Sequence, residues 1–248
     1  MHRGSLEDLD SLRSGSDAAD GVIHMAFNLD FSKFAESSEL ERRAIEAIGT
    51  VLEGSHRPLL VTSGFMFLVQ GRVATENDVR PAKASPRLAE TLADSLAASG
   101  VRASVVRLPA VHGQGDRNLV PTLIRIAREK GVSAYVGKGL NRFPAVHRLD
   151  AAQVYRLAIE QGGTGVRYHA VAEEGVAFKD IASVIGRRLK VPVVAMSREE
   201  AANHFGSFAL FVGMDAAASS ERTRALLGWE PKRPGLIADI DQSSFFES

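Results

Sequence analysis

Thr62 and Ser63 close the apolar run RPLLVTSG over residues 57 to 64, and two hydroxyls at the end of a strand can serve either of two purposes. They can orient a substrate carbonyl by hydrogen bonding, or they can satisfy backbone groups where the strand stops. His24 and Ala26 hold a similar place in GVIHMAF (21 to 27), and Pro109 and Val111 follow the run VRASVVRL in the segment RLPAVHGQGD. What the chain lacks removes other chemistries. Without cysteine it has no thiolate nucleophile and no disulfide, which fits a reducing, cytoplasmic setting. Its seven histidines include no pair at i, i+3 or i, i+4, and no carboxylate stands with them in a ligand spacing, so no metal site is expected.

These residues act together only if strands and helices bring them to one place. Runs rich in valine and isoleucine recur at 21–27, 57–64, 101–108, 133–137, 166–172 and 191–197 and predict strands, with helix-length segments between most of them. Phe34, Leu40, Ile45, Ile48 and Leu52 recur at helical intervals over 31–53. Ser85 as N-cap and Pro86 at the first helical position open a helix over 86–99, and 118–130 ends in Arg128 and Lys130 before the C-cap glycine Gly131. Ser5 with Asp8, Asp150 with Gln153, and Ser197 with Glu200 have capping-box spacing, the first predicting a short helix from residue 6. Continuous apolar strands alternating with helices predict the α/β class, a doubly wound parallel sheet covered on both faces. The pattern loosens after residue 130. The expected division is therefore a sheet domain over 1–130 and a region over 131–248 that completes the sheet and forms a smaller substrate lobe. There Phe205, Phe208, Phe211 and Met214, three residues apart, read as core.

At 248 residues and 45% hydrophobic content the chain can bury a sizeable core. Thirty basic residues balance thirty acidic ones, so no overall field attracts nucleic acid or an anionic membrane. The uncharged stretch PLLVTSGFMFLVQG falls short of the ~18 apolar residues of a membrane span. A small molecule or a second copy of the chain is the expected partner.

In an open parallel sheet ligands bind beyond the carboxyl ends of the strands, so the residues closing each strand are the informative ones. Here HMAFN, VTSG and RLPAVHGQGD, taken in order, resemble the extended short-chain dehydrogenase/reductase family of NAD(P)-dependent epimerase/dehydratase type. Arg107, Pro109, Val111 and Gly113 match its Arg-x-Pro-x-Val-x-Gly segment, VGKGLNRFPAVHRLDAAQVYRLAIE resembles its loop-then-helix segment, and SSERTRALLGWEPKRPGL its Leu-Gly-Trp-x-Pro ending. The resemblance implies a Rossmann-like fold and an oxidoreductase or epimerase acting on a small carbonyl, alcohol or sugar-type substrate with NAD(P). It implies cofactor contacts at His24, Ala26, Pro109 and Val111, a substrate cavity bordered by the 205–214 segment, and dimerisation through the helices around 31–53 and 86–99; Thr62 and Ser63, the catalytic candidates by their place in the sheet, match its Ser/Thr pair, but Gly64 and Phe65 stand where many members put the catalytic serine or threonine.

Two departures accompany it. The family's Gly-x-x-Gly-x-x-Gly turn, which holds the dinucleotide pyrophosphate, has no counterpart here, and HRGSLEDLDSL resembles the segment after the family's third strand. The expectation is an N-terminally truncated form, with NAD(P) as its cofactor if one is bound at all. The family's Tyr-x-x-x-Lys acid/base pair is also missing: none of Tyr135, Tyr155 and Tyr168 has a lysine four residues on, and RPAKASPRLAE offers Lys83, Ser85 and Arg87 in its place. His112 stands where relatives often carry tyrosine, and His147 with Asp150 marks a helix start. The alternatives are therefore a non-catalytic sensor that binds a dinucleotide or small ligand, or an inactive truncated fragment.

Overall fold

Helix starts show how local chemistry sets the elements of this computed structural model, which describes residues 2–28, 33–81, 85–242 and 245–246. Ser197 accepts from the Glu200 amide and Glu200 reaches back to the Ser197 amide, so the expected capping box opens α7 (Arg198–Phe205). The other predicted caps shift. Asp8, not Ser5, caps α1 (Leu9–Asp17) by accepting from Ser11 N. His147 caps α5 (Arg148–Gln161), because Asp150 is turned inward to take the amides of Lys232 and Arg233. The third helix, α3 (Ala89–Ala98), starts three residues after Pro86, since the Ser85 hydroxyl accepts the Arg87 amide in a local turn. Gly131, at φ 69°, ends α4 (Leu119–Lys130) as its sequence signal predicts.

Four parallel strands form the main sheet in the order β1 (Val22–His24), β2 (Pro58–Gly64), β3 (Arg102–Leu108) and β7 (Arg167–His169). The inner strands β2 and β3 are buried over five consecutive residues each, which requires cover on both faces. On one face Ile45, Ile48 and Leu52 of α2 (Phe34–Leu52) and Ala93 of α3 pack on Leu59, Val61, Ala103 and Val105. On the other, Val154, Tyr155 and Ala158 of α5, with Leu227 and Trp229, pack on Leu60, Val106 and Tyr168. The α/β sheet covered on both faces is thus the observed fold. Gly49 lets α2 lie close to α3, since a Cβ there would come within 2.5 Å of Leu96.

At Pro109 the chain leaves the main sheet, and β4 (Ala110–His112) joins a second one in the order β4, β6 (Arg142–His147), β8 (Glu173–Ala177). Pro144, without an amide hydrogen, sits where the β6–β8 register breaks. A parallel pair, β5 (Ser133–Val136) and β9 (Val193–Met196), completes the strands. Around them α4, α6 (Phe178–Leu189), α7, α8 (Ala209–Val212) and α10 (Leu236–Ile240) build a second core, while α9 (Glu221–Leu227) returns to the main sheet. Strands β4, β6 and β8 were not among those the apolar runs predict. Their segments are short and carry proline, histidine or glutamate in place of a valine- or isoleucine-rich run.

Candidate functional site

Side chains alternate across a strand, so adjacent residues at the end of β2 face opposite layers. Leu59, Val61 and Ser63 share one face, Leu60 and Thr62 the other. The two hydroxyls are accordingly held by different helices. Ser63 Oγ donates to Glu90 Oε1 of α3 at 2.7 Å, and Thr62 Oγ1 lies 2.8 Å from the Tyr155 hydroxyl of α5. Burial pushes the Tyr155 phenol up to about 12, so it stays protonated.

Beside Ser63 is a cluster of arginines. Arg107, fully buried, donates to both oxygens of Glu90, at 3.1 and 2.6 Å, and Arg107 Nη1 lies 3.0 Å from His169 Nε2. Burial alone would raise the Glu90 carboxyl, but the Arg107 hydrogen bonds and the charges of Arg107 and Arg80 bring it down to about 2. Arg87 grips Glu41 through both oxygens, donates to Thr62 O at 2.8 Å, and lies over the Phe27 ring at 4.3 Å. Arg80 donates through Nη2 to Gly64 O and approaches Ser63 Oγ and Glu90 Oε1 at 3.4 Å.

These groups border a cavity of about 660 Å³ at the carboxyl ends of β1, β2 and β3. Met25, Phe27, Thr62, Ser63, Pro109 and Val111 line its sheet side, and Phe205, Phe208, Phe211 and Met214 line it from the second core. The structure therefore brings Thr62, Ser63, Pro109 and Val111 together, and the phenylalanine series borders the same space. His24 sits at the end of β1 without lining the cavity, buried with neither ring nitrogen hydrogen-bonded; burial, then the Arg87 charge, lowers its pKa to about 4. Ala26 is exposed and does not line the cavity. His112 pairs through Nδ1 with Asp239 at 2.7 Å, away from this space. Lys83 lies outside the described residues. Arg80 and Glu90 escape any motif reading: their importance comes from strand parity and from a loop that folds back on β2.

A crevice at the carboxyl edge of the strands is where open parallel α/β sheets bind their ligands. The comparisons give this fold a family. The family model described as NAD dependent epimerase/dehydratase matches residues 71–171. The chain is 48% identical over 98% of its length to Uncharacterized protein C2A9.02 of Schizosaccharomyces pombe, covering 83% of that protein. It is also 46% identical over 96% of its length to Uncharacterized protein YLL056C of Saccharomyces cerevisiae, covering 81% of it. The chain belongs to the NAD-dependent epimerase/dehydratase family. Among solved structures it resembles DesIV, a dTDP-glucose 4,6-dehydratase from Streptomyces venezuelae with NAD and TYD bound, at TM-score 0.74 and 16% identity, over 96% of this chain and 77% of that one. It likewise resembles RMD from Pseudomonas aeruginosa complexed with NADPH, at TM-score 0.68 and 16% identity, over 97% and 89%. At such identities the likeness shows the fold. No helix among the described residues is long and apolar enough to cross a membrane.

Proposed function

We propose that the chain is an NAD(P)-dependent oxidoreductase or epimerase whose substrate, a small carbonyl, alcohol or sugar-type compound, occupies the cavity at the strand ends. The observation that carries this reading is the convergence of Thr62, Ser63, Pro109 and Val111 on one space. The cavity wall fits the nicotinamide end of such a cofactor: Pro109, Val111, Met25 and Phe27 offer apolar and aromatic surface. Among the described residues no glycine-rich turn joins a strand of the main sheet to the next helix as a pyrophosphate cradle. When bound, the nicotinamide supplies or takes up a hydride.

The chain's own residues divide the remaining work. Tyr155 keeps its proton and can donate it to Thr62 Oγ1, which frees the threonine hydroxyl to donate to a substrate oxygen and polarise its carbonyl. The Ser63 proton is committed to Glu90, so Ser63 offers only lone pairs and accepts from a substrate hydroxyl. Calorimetric titration of NADH and NADPH into the chain and into Val111→Trp tests the reading. Binding that the tryptophan abolishes supports it, and binding indifferent to it argues for another location. The missing Tyr-x-x-x-Lys pair favours a second reading, a sensor that binds without turnover; cofactor binding with no oxidation across a carbonyl panel would support that one.

A further inference from the structure

Although the chain as a whole has balanced charge, the charges lining this cavity all have one sign. Arg80, Arg87, Arg117 and Arg125 line it, and among the described residues no carboxylate or imidazole does. Three of the four are accounted for or remote. Arg87 is committed to Glu41 and to Thr62 O. Arg125 pairs with Glu129 at 2.8 Å, and it lines the far wall with Arg117, around α4.

Arg80 differs from all of these. Its side chain is 10% exposed, and its one ion pair among the described residues is a long contact to a carboxylate that it shares with Arg107. The nearest oxygen, Glu90 Oε1 at 3.4 Å, already accepts from Ser63 at 2.7 Å and from Arg107 Nε at 3.1 Å, and Oε2 is taken by Arg107 Nη2 at 2.6 Å. Only Nη2 of the Arg80 guanidinium finds acceptors among the described residues, and Nε is buried with none. A buried guanidinium left short of acceptors is costly, and an anion beside it relieves that cost. Burial lowers the Arg80 pKa, and the charges of Glu90 and Glu41, which raise it against those of Arg107 and Arg87, do not make up the difference.

We propose that Arg80 anchors a carboxylate of the substrate, so that the compound held in this cavity is an oxo acid or hydroxy acid whose reacting carbon lies a few bonds from its carboxylate. This rests on the proposed oxidoreductase or epimerase reading and names its substrate class. The carboxylate docks on the Arg80 guanidinium at the end of β2, and the rest of the molecule extends past Thr62 into the phenylalanine-lined part of the cavity. Apolar surface there suits an aryl or alkyl body.

The test titrates phenylpyruvate and levulinate, each beside its methyl ester, into the chain by calorimetry with and without NADPH. At least one acid is expected to bind tenfold or more tightly than its ester. That preference should disappear in Arg80→Gln and return in part in Arg80→Lys, which keeps the charge and loses the planar fork. Thermal melts establish that the variants are folded, and the ratio of acid to ester in the unaltered chain is read without any variant. Equal binding of acid and ester, no binding of either acid, or an acid preference that survives in folded Arg80→Gln would overturn the proposal. Oxidation of NADPH is followed in parallel. Acid binding lost in Arg80→Gln, without oxidation, leaves the carboxylate anchor standing and removes the catalytic reading; oxidation with esters and acids alike does the reverse.

Discussion

Replacing Glu90 by glutamine probes the electrostatic frame of the site. The carboxylate accepts from Ser63 and Arg107 and lies near Arg80 and Arg167, at 6% exposure. Burial raises its pKa, and the arginine contacts outweigh that effect and bring it from 4.5 to about 2. At roughly 1.4 kcal/mol per pH unit, the fall corresponds to about 3 kcal/mol of stability at neutral pH. The unfolded chain ionises this carboxyl near 4.5, so the contribution is complete above that pH and is lost as the pH falls from 4.5 toward about 2. A similar figure follows from the rule that removing one partner of a buried ion pair costs about 3 to 5 kcal/mol. Urea unfolding followed by fluorescence of Trp229, the single tryptophan, measures the difference. Glu90→Gln should lower stability by about 3 kcal/mol at neutral pH, with the gap narrowing below pH 4.5. A gap under about 1 kcal/mol, the range of an exposed pair, or one unchanged down to about pH 3, would refute the buried-network reasoning.

Two further outcomes follow from the same geometry. His24, with its pKa lowered to about 4, should show ring proton resonances that do not titrate until well below pH 6.5; stability should fall by up to about 3 kcal/mol as the pH drops from 6.5 toward 4, because the unfolded chain binds the proton first. A measured midpoint near 6.5 would contradict its burial. Tyr155→Phe removes the partner of Thr62 and should cost about 1 kcal/mol in urea unfolding. No measurable loss would mean that the 2.8 Å contact contributes nothing.

The sheet and its covering helices were legible because burial on both faces demands continuous apolar strands, as β2 and β3 show. Short strands such as β4 were not, since Ala110–His112 owes its pairing to the turn out of the main sheet at Pro109 rather than to composition. Caps failed where tertiary contacts competed. Asp150 has the spacing of an N-cap, but the amides of Lys232 and Arg233, more than 80 residues on, claim its carboxylate. Thr62 and Ser63 were candidates by their place at a strand end and Pro109 and Val111 by the family resemblance, and all four line one cavity. Arg80 could not be named from the sequence, because only the folded loop places its guanidinium against Gly64 O.

In the proposed function a substrate oxygen is polarised by Thr62 at the carboxyl edge of the sheet. The most direct test is the rate of NADPH oxidation over a panel of small carbonyl compounds, compared between the unaltered chain and Thr62→Val. Turnover is expected, with kcat falling roughly a hundredfold in Thr62→Val and little change in KM, as for the loss of a donor that acts in the transition state. Turnover that continues in Thr62→Val at an undiminished kcat would contradict it.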